Sequence, residues 1–219
     1  MVSLNNIKKE FDILNAQYSS LDKLIETAYG FCISGSLSIV DINGWNWGIY
    51  QIEIWIPVTY PTDLPLLVET GNAIERDINW HISKDGICCV GTLARQYRDM
   101  TDGISLIKWL KLFAIPYLAN HCYKKEKNNY ADGELAHGVE GIFQDNVSCF
   151  KLEDPKEIVL RINNILGFKQ QSLNKPCFCD SGKKYKRCFL LNPHFHRLGI
   201  PIKVLKDDLK KLQSHYLIS

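Results

Sequence analysis

Tyr50-Gln51-Ile52-Glu53-Ile54-Trp55-Ile56 sets Tyr50 and three isoleucines at every second position, alternating with Gln51, Glu53 and Trp55. A period of two is the signature of a strand with one face on a core. The segments Phe31–Ile42 and Leu64–Glu69 are its expected flanking strands, and an antiparallel meander is the simplest way to join them. Upstream, Leu4, Ile7, Phe11, Leu14, Tyr18, Leu21 and Ile25 recur at spacings of three and four, which predicts a helix over about residues 3–27, ended by Tyr29-Gly30.

Downstream the pattern changes. From Gly71 to Thr101 no period holds, and a long irregular stretch inside a compact domain is more often functional than accidental. Helical spacing returns at Ile104, Ile107, Leu110, Ala114 and Tyr117, giving a helix to about residue 127 with a kink expected at Pro116. Asn128–Asn146, with Gly133, Gly138 and Gly141, is read as a second loop. Asp154-Pro155 opens a further helix with Ile158, Ile162, Ile165 and Leu166 facing inward, closed by Gly167. After a polar linker, Lys169–Lys175, a last short amphipathic helix carries Val204, Leu205, Leu209, Leu212 and Tyr216. The fold class is α+β, without internal repeats.

A chain of 219 residues can bury one core and carry a small appendage. The division expected is 1–168 and 169–219. No apolar stretch approaches the roughly 20 residues of a membrane span, and Met1-Val2-Ser3-Leu4-Asn5-Asn6 lacks the regions of a signal peptide. A cytoplasmic protein without a membrane partner is therefore expected. Residues 169–219 hold 11 Lys/Arg against 3 Asp/Glu, a net of +8, while residues 1–168 hold 15 against 21, a net of −6. A basic tail on an acidic body points to an acidic partner or nucleic acid, or to a merely solvated surface.

The eight cysteines are clustered rather than spread as a disulfide framework would be. Cys177, Cys179 and Cys188 form one group, Cys88 and Cys89 are neighbours, and Cys32, Cys122 and Cys149 stand alone. Without a secretory signal this reads as metal binding plus a reactive thiol, the isolated cysteines being small buried hydrophobes.

Tyr60-Pro61-Thr62-Asp63-Leu64-Pro65, followed by a strand, an irregular loop and His81-Ile82-Ser83-Lys84-Asp85-Gly86-Ile87-Cys88-Cys89, resembles ubiquitin-conjugating enzymes over about residues 1–168, and bacterial relatives more than eukaryotic ones. The resemblance implies the ubiquitin-conjugating (UBC) fold and a catalytic thiol at Cys89; a shift of one residue makes it Cys88. Such a thiol accepts an acyl group as a thioester and yields it to an amine, so access and thiolate character matter. Where the family carries His-Pro-Asn this chain has His81-Ile82-Ser83, which leaves Asn79, Ser83 or backbone amides as oxyanion donors. His81 is then a loop organiser or a general base. Gly133-Glu134-Leu135-Ala136-His137-Gly138 resembles a stretch of bacterial conjugating-like proteins, making His137 a further candidate beside the cysteine, or else the histidine of a glycine-permitted turn.

The partners implied by the resemblance are a ubiquitin-like or other acyl-donor protein, an adenylating activating enzyme and a target protein. In some bacterial relatives the setting is antiviral defence, with a cyclic-nucleotide synthase as target. Two rivals are a non-catalytic binding module of the same fold, and a cysteine hydrolase for which no third orienting group is evident.

Pro176-Cys177-Phe178-Cys179-Asp180-Ser181-Gly182-Lys183-Lys184-Tyr185-Lys186-Arg187-Cys188 resembles the SEC-C motif, a small zinc module. Thiolates this close can surround one tetrahedral Zn²⁺. Position 189 is Phe where the motif carries Cys or His, so the fourth ligand is His194 or, alternatively, His196. A structural ion is expected, because few large apolar side chains are present to hold such a segment.

Overall fold

The computed structural model describes residues 2–131, 136–167, 172–179, 181–188 and 198–217. They form two compact units that interleave in sequence. One comprises Met1–Gly91 and Asp102–Glu134, the other Thr92–Thr101 and Leu135–Ser219. The single boundary expected after residue 168 falls inside the second unit.

In the first unit, α1 (Leu4–Gln17) begins at Ser3, whose hydroxyl accepts the Asn6 N–H at 3.3 Å, and buries Ile7 and Leu14 completely. The helix stops earlier than the spacing predicts. Tyr18 closes it and the Leu21 N–H bonds back to the Tyr18 carbonyl, so Leu21 enters the core from a turn. Lys23–Thr27 is instead an edge strand, β1, on which Ile25 is exposed. Hydroxyl side chains at Ser19 and Ser20 compete for backbone hydrogen bonds and favour the break.

The three expected strands form an antiparallel meander, and β1 joins them as an unexpected fourth: the sheet runs in the order β1-β2-β3-β4, with β2 Gly30–Val40, β3 Asn46–Pro57 and β4 Leu66–Glu69. Ile33 faces Ile54 across β2–β3 and Ile54 faces Leu67 across β3–β4, a buried row at the centre of the sheet. Tyr50, Ile52, Ile54 and Ile56 all point inward. The expected helix after residue 104 is α3 (Leu106–Trp109), one wider turn (Leu110–Ala114) and α4 (Ile115–Lys127), which packs on β2 and β3. The wide turn ends at Ala114, two residues before Pro116, which has no N–H for a regular bond. Glu10 ties this unit together: its carboxylate accepts the Leu106 N–H at 2.6 Å and the Tyr60 hydroxyl at 3.0 Å. The Tyr60-Pro61 bond is cis.

The second unit is helical: α2 (Leu93–Asp99), α5 (Gly138–Phe150), α6 (Pro155–Ile165) and α7 (Ile202–Tyr216). Helices α5, α6 and α7 pack on one another, and α2 packs on α7. Ile158, Ile162 and Ile165 on α6 and Leu205, Leu209 and Leu212 on α7 are all buried. Asp154 caps α6 by accepting the Lys156 N–H at 2.8 Å, as its position before Pro155 predicts. Two helices were not expected. α2 lies in the aperiodic stretch, and α5 occupies much of what reads as a loop. Gly141 is required by close approach rather than by a turn: a Cβ there would sit 2.1 Å from the Ala136 carbonyl oxygen.

Candidate active site and metal centre

Cys88 and Cys89 lie on a short extended segment laid beside β4. Glu69 N–H donates to the Gly86 carbonyl and Cys88 N–H to that of Leu67, both at 2.9 Å. On its other side the segment folds back on Ile82 and Ser83: Ser83 N–H donates to Ile87 O at 2.9 Å, and Ile87 N–H to Ser83 Oγ at 3.0 Å. Extended backbone alternates its side chains. Cys88 therefore turns inward, 6% exposed, and Cys89 turns out to solvent. Burial pushes the Cys88 thiol up to about 12, far from ionisation at neutral pH. Ser83 braces the turn, and Asn79 is exposed.

The segment is held from two directions. At the β4 end, the fully buried Glu69 carboxylate accepts N–H bonds from Gly71 (2.7 Å) and Ala73 (3.2 Å) and pairs with Arg76 at 2.8 Å. Arg76 also donates to the Glu69 carbonyl at 2.6 Å. Gly86, at φ +84°, closes against this pair, where a Cβ would meet the Glu69 carbonyl oxygen at 2.4 Å. At the other end stands α4. The His81 carbonyl accepts both the Cys89 N–H at 2.7 Å and the Tyr117 hydroxyl at 3.1 Å, and Tyr117 also reaches the Trp80 carbonyl at 3.3 Å. Lys124 and Tyr130 both donate to the Asn79 carbonyl, Tyr130 at 3.3 Å, and the Lys124 ammonium lies 4.7 Å over the Trp80 ring and 4.1 Å over that of Tyr130.

His81 ends a one-turn helix, Ile78–Trp80, in the left-handed conformation at φ 52°. Its ring meets Tyr130 edge-on at 5.6 Å. Beneath it, His121 has no exposed surface, and neither ring nitrogen finds a hydrogen-bond partner among the described residues. It is boxed by Trp80, Tyr117 and Tyr130, with ring centroids 4.4 to 5.7 Å away. Burial, with the nearby His81, Lys124 and Lys125, pushes its pKa down to about 3, so it is neutral. His137, the other histidine singled out, is half-buried at the start of α5 in the second unit.

Glu69, Arg76, Tyr117, His121, Lys124 and Tyr130 were not anticipated as site residues. One signal was available: Tyr117, His121 and Lys124 lie on one stripe of α4, four and three residues apart.

The second cysteine group is local. Cys177 is buried with Tyr185, and Phe178 packs against them. Its backbone closes on itself: Cys177 N–H donates to Lys183 O at 2.7 Å, Tyr185 N–H to Lys175 O at 2.9 Å, and Lys186 N–H to Leu173 O at 3.1 Å. The sulfurs of Cys177, Cys179 and Cys188 all lie within 4.8 Å of one another, and those of Cys179 and Cys188 are 3.5 Å apart. Neighbouring sulfurs around a tetrahedral ion with bonds of about 2.3 Å stand about 3.8 Å apart, so the three fit one metal ion. Burial opposes ionisation of Cys179, but hydrogen bonding with the Ser181 side chain (Sγ to Oγ 3.1 Å) and backbone and with the Cys177 and Cys188 side chains outweighs it, holding this thiol below its ordinary value.

Residues 174–188 match the SEC-C motif. That segment and its thiol cluster are compatible with a bound metal ion. The fourth ligand expected at His194, or at His196, lies outside the described residues. No curated protein matches the chain, and no solved structure does. Among the described residues no helix is long and apolar enough to cross a membrane.

Proposed function

We propose that the chain is a conjugating-type acyl carrier of the ubiquitin-conjugating class, with Cys89 as its nucleophile. The observation that carries this reading is the contrast between the two neighbouring thiols: Cys88 is buried and hard to ionise, whereas Cys89 is exposed on a segment fixed at both ends. The helix, four-stranded meander, loop and helix of the first unit follow the order the resemblance implies, which supports the same reading.

In the first step the Cys89 thiolate attacks the carbonyl carbon of a donor thioester on an activating enzyme. The new S–C bond forms, the donor thiol leaves, and it takes up a proton equivalent to the one Cys89 gave to solvent. In the second, an amine of the target attacks, the amide forms, and Cys89 leaves as thiolate while the amine proton passes to a base or to solvent. His81 serves as organiser of the loop, and His137 is held as a candidate proton acceptor. The SEC-C segment, in this reading, holds structural zinc through Cys177, Cys179, Cys188 and His194, in a protein whose thiols stay reduced as in the cytoplasm.

Incubation with a candidate activating enzyme, its ubiquitin-like protein and ATP should give an adduct on a non-reducing gel that added thiol removes. Cys89→Ser should give a thiol-resistant oxyester and Cys89→Ala none, with Cys88→Ala unimpaired. An adduct that survives Cys89→Ala and vanishes in Cys88→Ala moves the nucleophile by one residue. Absence of any adduct favours the binding module.

A further inference from the structure

The metal knuckle turns almost everything apolar inward. Cys177 and Tyr185 are buried with Phe178 against them, and the Ser181 hydroxyl is engaged with the sulfurs of Cys179 and Cys188. Outside, beside the exposed Leu173 and Pro176, the described charged side chains are all of one sign. Lys183, Lys184, Lys186 and Arg187 are all exposed, and none of the four forms an ion pair among the described residues.

These cations are not on a slack tail. The backbone beneath them is bonded residue by residue: Lys183 O accepts from Cys177, Lys184 is bridged to Pro176, Lys186 N–H donates to Leu173 O, and Arg187 N–H donates to Lys184 O at 2.8 Å. A fixed backbone lowers the ordering cost of binding, leaving only the side-chain ends to settle. Leu173 is the one large exposed apolar side chain among the described residues of the segment, which is little against the apolar centre that a protein–protein interface is built around. Phosphodiesters need no such centre, because Lys and Arg neutralise and hydrogen-bond them directly.

We propose that this face of the SEC-C segment binds the phosphodiester backbone of nucleic acid, without reading its sequence. The inference stands on the charge and geometry of the knuckle and does not rest on the conjugation reading.

The test is fluorescence anisotropy of the full metal-loaded chain with a labelled single-stranded oligothymidylate. Binding is expected in the micromolar range, with log K falling against log salt at a slope of about −0.7 per phosphate neutralised, hence about −3 for four cations. Replacing Lys183, Lys184, Lys186 and Arg187 together by Gln should weaken binding more than tenfold and flatten the slope, whereas K8Q/K9Q on the first unit should change neither. If the fourfold variant loses its metal, the pairs K183Q/K184Q and K186Q/R187Q are read instead, each giving part of the loss. Affinity unchanged by these substitutions overturns the proposal. So does displacement of the oligonucleotide by polyglutamate of equal charge at equal concentration, which would mark an acidic protein as the occupant.

Discussion

The Cys89 segment and the cysteine knuckle are both short stretches that aim a sulfur, yet they are stabilised in opposite ways. Every backbone bond described in the knuckle, from Ser172 to Cys188, stays within it, and its three thiols are eleven residues apart at most. Cys89 depends on groups brought from elsewhere: Leu67 and Glu69 on β4, Arg76 in the loop, Tyr117 and Lys124 on α4, and Tyr130 beyond it. A locally closed segment with only the small Cys177–Tyr185–Phe178 cluster inside it gains most from a bound ion, whereas a segment hung on a packed sheet and helix is held without one. Damage to the first should therefore stay local, and damage to the second should arrive from distant positions.

The sharpest break between them is expected from Cys177→Ser. Structural metal sites contribute on the order of 10 kcal/mol or more to the segments they organise. Metal content should fall from about one per chain to none, and peptides of residues 172–188 should lose protection from hydrogen exchange. The rate at which iodoacetamide alkylates Cys89 should not change. A coupled fall in that rate would show that the two regions are not independent.

The mirror experiment is Glu69→Gln. Its carboxylate is fully buried and pairs with Arg76, and removing one partner of a buried pair costs roughly 3 kcal/mol. In a protein of this size that is roughly 6–12 °C of Tm. Alkylation of Cys89 should change while metal content holds. Unchanged alkylation would mean the β4 anchor does not position the thiol.

How much of each region could be read in advance follows from the same contrast. The knuckle was legible because its chemistry is contiguous, down to the three thiols that converge. The meander was legible because Tyr50, Ile52, Ile54 and Ile56 alternate cleanly. The end of α1 was not, since Leu21 and Ile25 continue the spacing of a helix while lying on a turn and an edge strand. α5 was hidden by glycines, one of which serves close packing. The surroundings of Cys89 were least legible. Buried Glu69 and the Tyr117–His121–Lys124 stripe acquire meaning only when the chain folds back on itself.

Buried titratable groups give the two units opposite responses to acid. His121 is held down to about 3, against about 6.5 when unfolded. Its contribution is present above the unfolded value and is lost as pH falls from about 6.5 toward 3. Between pH 7 and 5 that is about 2 kcal/mol, which His121→Phe should abolish. Asp208 in the second unit is raised to about 6 by burial. Its contribution is present at low pH and lost as pH rises from about 4 to 6, so acidification from pH 7 to 5 should return about 1.4 kcal/mol there, and Asp208→Asn should remove the effect. Denaturant titrations at both pH values, read by exchange of peptides from each unit, check the two signs separately.

The finest probe is the hydroxyl of Tyr117. It donates to the same His81 carbonyl that receives the Cys89 N–H, and so it links α4 to Cys89 through one shared acceptor. Tyr117→Phe keeps the ring against His121 and removes one neutral hydrogen bond, worth about 1 kcal/mol. That corresponds to roughly a fivefold rise in local opening. Amide exchange at residues 79–89 should quicken by about that factor, while the amides of β2 and β3 and the metal content stay as they were. If exchange quickens equally in the sheet, Tyr117 is a core residue like its neighbours. If it quickens only at residues 79–89, the helix holds the loop, and the loop holds Cys89.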